Sequence, residues 1–142
     1  MYRFVLLASL TVLMSAEIPP EILAEKAFDK RADLALKEAD EEISAAAKTY
    51  SDGGDMKAFQ SHVEAVGELV EFTLKSLQDS GMRGGKRVKN FKRAEMKMRS
   101  LLRRLETLEI QVSADDRPSV ERVQKVVSEA REQVLYDIMS KR

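Results

Sequence analysis

Three groups of residues in this 142-residue chain have types and spacings that invite a chemical reading. The first is Gly81-Met82-Arg83-Gly84-Gly85-Lys86-Arg87, where glycines lead into a Lys at a helix start. Such a stretch suits a phosphate, because backbone N–H groups and a cation converge on one point. The nucleotide-binding form needs four residues between its first Gly and its Gly-Lys pair, and a Ser or Thr after the Lys to hold magnesium. Here three residues intervene and Arg87 takes the hydroxyl position, so the motif fails and an interhelical turn is the expectation. What survives is a plain anion site, a helix N-terminus with Arg83, Lys86 and Arg87 around it.

The second group is His62, the only histidine, with Met56, Met82, Met96 and Met98 as companions. A His and a Met can together ligate haem inside a helical bundle. Yet a chain with one His and no Cys offers no ligand set for a transition metal. Methionines at helical spacing are ordinary core filler. The expectation is therefore no metal and no cofactor, with a bundle-core ligand or cofactor carrier, for example of haem, as the alternative. The third group is Glu21, Glu25, Asp29 and Asp33, a ladder of acids every four residues. A ladder of that kind can attract a divalent cation. Di-iron bundles use Glu-x-x-His pairs on two helices, and none is present, so a solvated face is expected. No Ser, Tyr or carboxylate pair is marked as catalytic by its neighbours, and the chain reads as a non-enzyme.

The strongest signal is charge. Gly81 to Arg104 holds ten Lys or Arg residues and a single acid, Glu95, in a chain whose totals are 24 basic and 24 acidic. The remainder is net acidic, so a basic face must meet something. Its candidate contact residues are Arg83, Lys86, Arg87, Lys89, Lys92, Arg93, Arg103 and Arg104. Charge on one helical face is a footprint of nucleic-acid binding. Aromatics for base stacking are lacking there, apart from Phe91, and the start of the chain points away from the cytoplasm.

That start has the layout of a signal peptide. Arg3 precedes an eleven-residue apolar run, Phe4 to Met14, and the small Ser15 and Ala16 lead into polar sequence. The run is short for a bilayer span, which takes about 20 residues. We read 1–16 as a signal peptide and 17–142 as a single helical domain, periplasmic or secreted. A membrane-anchored helical protein with the segment retained is the alternative. The absence of Cys removes disulfides and a lipidated N-terminal Cys from consideration.

The remaining sequence must position these groups, and its composition is that of long helices: little Gly or Pro, much charge, and apolar residues for a core. The first predicted helix opens at Pro19-Pro20 and runs to about Lys48, with Phe28, Ala32, Ala35, Leu36, Ala39, Ile43 and Ala46 inward. The second runs from an Asp55 cap to about Ser80. Its seam Met56, Phe59, Val63, Val66, Val70, Thr73 and Leu77 alternates steps of three and four. The third, from Gly85 or Lys86 to Val112, has the seam Phe91, Ala94, Met98, Leu101, Leu105, Leu108 and Val112. That register places its cations outward and on one flank, Arg87 excepted, and turns Met96 and Ile110 outward too. The fourth follows a cap at Asp115 or Asp116 and reaches about Met139, with Val120, Val123, Val127, Ala130, Val134 and Ile138 inward. Short loops then predict an all-α, antiparallel up-down-up-down four-helix bundle after the signal peptide, with a dimerising helical hairpin as the alternative. The functional expectation is an exported, non-enzymatic protein of the cell envelope. It would act by surface contact through the basic helix, on an anionic envelope component or an acidic protein. Membrane contact is allowed and nucleic acid is not expected.

Overall fold

A computed structural model describes residues 18–140. The signal peptide predicted over 1–16 lies outside the described residues. The molecule is all-helical, with no strand among the described residues. A short α1, Pro20–Ala24, precedes four long helices: α2 Phe28–Ser51, α3 Met56–Gln78, α4 Gly84–Gln111 and α5 Arg117–Met139.

The predicted seams are the core, except that Phe28 of the first is only partly buried and lies outside it. Every seam residue of α3 and α4 is buried except Met56, which is partly covered, and on α5 only Ile138 stays partly open. Steps of three and four keep those positions on one side of a helix, so each element has a single apolar face to bury. The turns follow the local chemistry. Asp55 caps α3, its carboxylate accepting from the Lys57 N–H at 3.1 Å. Gly81 takes φ +69° just after α3, a conformation that favours glycine.

The first predicted helix is broken. Glu25 and Ala27 are extended, which separates α1 from α2 and takes Glu21 and Glu25 off the helix that carries Asp29 and Asp33. The cause is tertiary. Ile22 is buried, so α1 must fold back against α2. Arg31 then donates to the Glu25 carbonyl at 2.8 Å and the Leu23 carbonyl at 3.3 Å, satisfying acceptors that helix continuation would have used. Its guanidinium lies between the rings of Phe28 and Phe72, 5.4 and 5.8 Å from their centroids.

The polar cross-links reveal the helix directions. Between α2 and α3 they join Arg31 to Phe72, Glu42 to His62 and Tyr50 to Phe59, so these helices run antiparallel. Between α4 and α5 they join Glu95 to Arg131 and Glu109 to Gln124, again antiparallel. Across the two hairpins the numbers rise together. Asp33 meets Lys97, Asp40 meets Arg104, and the Tyr50 hydroxyl accepts from the Ser113 N–H, so α2 and α4 are parallel neighbours. Glu64 with Arg122 and Gln78 with Asp137 place α3 parallel to α5. The helices α3 and α4, though joined by residues 79–83, barely touch.

Asp116 adjoins the start of α5 without capping it by its side chain. Its carboxylate accepts instead from the Tyr50 hydroxyl at 3.2 Å and the Ser113 hydroxyl at 2.8 Å, tying the two hairpins at that end.

Candidate functional site

The basic helix α4 divides its cations among four surroundings. One set faces α2. Arg93 and Lys97 both reach Asp33, at 3.3 and 3.2 Å. Arg104 bonds the Asp40 carboxylate at 2.5 Å, the Asp40 carbonyl at 2.7 Å and the Ser44 hydroxyl at 2.8 Å. These cations are committed to holding α4 beside α2, so Arg93 and Arg104, two of the candidate contact residues, already have partners.

A second set surrounds Glu95, the one acid of the basic stretch, which is only 6% exposed. Arg99, one turn on, donates to both of its oxygens at 2.5 and 3.2 Å, and Arg131 of α5 donates at 3.0 Å. Burial pushes the Glu95 carboxyl upward, but the hydrogen bonds and charges of Arg99 and Arg131 outweigh it and hold the group below its ordinary value. The sequence marks Glu95 only by its isolation among cations; that it is a buried link to α5 needed the tertiary structure.

The third set is open. The side chains of Lys86, Lys89, Lys92 and Arg103 make no hydrogen bond or ion pair among the described residues. Lys89, Met96 and Arg103 follow at seven-residue intervals, about 10 Å per step, along the outward row. Met96 is 64% exposed within that row. Ile110, 77% exposed, continues the row beyond the basic stretch, close in sequence to Glu106 and Glu109. The two outward apolar residues therefore sit in different charge surroundings. Arg83 and Arg87 stand apart from this row, at a cleft beside the 79–83 turn.

Acidic residues crowd one another around Glu38. Partial burial raises the Glu38 carboxyl above its ordinary value, and Glu41, then Glu42 and Glu21, add to the effect. His62 Nδ1 lies 2.6 Å from the Glu42 carboxylate, so the imidazole faces α2 rather than Met98, which is fully buried on α4. Among the described residues no group of three or more His, Asp or Glu side chains is placed to hold a metal ion. No helix of the described residues is long and apolar enough to cross a membrane.

No family model, curated protein or solved structure matches this chain. The geometry of α4 is then the ground on which function is argued.

Proposed function

We propose that this chain is an exported four-helix bundle of the cell envelope that docks on an anionic lipid surface through the outward row of α4, without catalysing a reaction. The observation that carries the reading is the division of α4: its flank cations are paired with Asp33, Asp40 and Glu95, while Lys86, Lys89, Lys92 and Arg103 project unpaired. Cations that lack a carboxylate partner among the described residues remain available to an outside anion. The exposed Met96 among them favours lipid, since an apolar side chain on a basic helix face can enter the headgroup boundary. Glu106 and Glu109 confine the contact to the first part of α4. Residues 1–16 supply the route out of the cytoplasm.

Each cation near an anionic bilayer contributes about 1 kcal/mol, falling with salt. Changing Lys86, Lys89, Lys92 and Arg103 together to Gln is expected to lower partition onto phosphatidylglycerol-containing vesicles a hundredfold or more at low salt, with helicity unchanged. Equal binding to neutral vesicles, or undiminished binding by the quadruple variant, would sink the reading. Recovery of an acidic protein in place of lipid from an envelope fraction would replace it with a protein-docking role.

A further inference from the structure

A cleft opens at the turn between α3 and α4, away from the outward row of α4. It measures about 640 Å³, within the range of small-molecule sites. Leu77, Met82 and Phe91 supply apolar wall, and Arg83, Arg87 and Asp137 supply charge.

The charged groups are arranged unusually. Two guanidiniums and a carboxylate share one cleft without forming an ion pair. Asp137 is occupied otherwise: Gln78 donates to one of its oxygens at 3.2 Å and Gln133 to the other at 3.0 Å. Arg87 lies over the Phe91 ring with its central carbon 4.4 Å from the centroid. Phe91 is itself almost wholly buried, so it is a fixed platform. The Arg87 guanidinium makes no hydrogen bond or ion pair among the described residues. Its N–H donors lie around the edge, in the fork that matches two oxygens of a carboxylate or phosphate. The Arg83 side chain makes no hydrogen bond or ion pair among the described residues and lines the same cleft.

We propose that this cleft binds a small molecule carrying an oxyanion, a carboxylate or phosphate gripped by the edge of Arg87 and supported by Arg83, with its apolar body against Leu77 and Met82. The Asp137 carboxylate in the same lining disfavours a second anionic group on the ligand. The site uses different side chains from the lipid-docking face, since neither Arg83 nor Arg87 is among Lys86, Lys89, Lys92 and Arg103.

Benzoate and phenyl phosphate are suitable probes, because they present the two oxyanions on the same ring. Each is titrated into the full chain while the arginine side-chain N–H resonances are followed by NMR. The expected result is a saturable shift confined to Arg87 and Arg83 with at least one probe, and the responding probe identifies the anion. Arg87→Gln should weaken that binding at least tenfold, and Arg83→Gln by less. The variant with Lys86, Lys89, Lys92 and Arg103 changed to Gln should retain it, so failure here and failure of lipid docking are distinguishable. Weak non-saturating shifts spread equally over Arg83, Arg87 and Arg103 would overturn the proposal. So would undiminished binding by both single variants.

Discussion

On the side of α4 that faces α5, one carboxylate is buried between two guanidiniums; on the side that faces α2, three cations meet Asp33 and Asp40 near the surface. The pairing chemistry is the same, and the solvent is not. Glu95 has lost most of its water and depends on Arg99 and Arg131 to replace it. Asp33 and Asp40 keep much of their hydration, so their pairs select which helices are neighbours more than they stabilise. Ion pairs along a helix therefore cannot be weighed by number; the depth of the carboxylate decides.

Removing the buried member tests this most severely. Glu95→Ala is expected to cost about 2 kcal/mol in urea unfolding, the scale for hydrogen bonds to a charged group. The figure stays below that for a fully buried pair because Arg99 and Arg131 are partly exposed and can return to water. A loss no larger than that of a surface pair would erase the contrast between the two flanks.

Acid sharpens the same comparison. A carboxyl held below its ordinary value contributes stability above the unfolded-state value, about 4.3 for Glu, and loses it as pH falls through the folded value. The gap in stability between the parent and Glu95→Ala should thus be widest near neutral pH and shrink below about pH 4. Glu38 acts with the opposite sign. Its raised value means that protonation relieves partial burial and the neighbouring Glu41 charge, so its contribution improves as pH falls. Subtracting the variant's pH curve from the parent's isolates Glu95. A gap constant across that range would mean that Glu95 acts by filling space.

The smallest effect belongs to the exposed side. Arg104→Gln breaks the bonds to Asp40 and Ser44, yet is expected to cost less than 1 kcal/mol, and still less in high salt. A cost above that of Glu95→Ala would reverse the ranking.

Much of the helical layout is legible from spacing, and the reason is specific. Phe59, Val63, Val66, Val70 and Leu77 recur at steps that only one helical face can satisfy, and the same holds for Phe91 through Val112. What spacing cannot convey is relations between helices. The break at Glu25–Ala27 is hidden because Pro19-Pro20 and the acid ladder suit an uninterrupted helix. It exists because Ile22 and Arg31 find partners that are absent locally. Asp116 looks like a cap until Tyr50, from another hairpin, competes for its carboxylate. In the candidate site, the cations themselves were legible. Their division into spent and free was not, because it depends on which helix lies beside α4. Glu95 was visible as an oddity, but its depth follows from α5 crossing over it.

The thin contact between α3 and α4 bears on how the chain assembles. Each hairpin gathers its contacts from residues close in sequence, and such contacts cost little loop-closure entropy. Contacts between the hairpins come later along the chain: Asp33 waits for Lys97, and Tyr50 for Ser113. Assembly on this plan is a meeting of two halves, with residues 79–83 acting as a tether that sets their local concentration. The register of that meeting is written in the charges that α2 offers and α4 accepts.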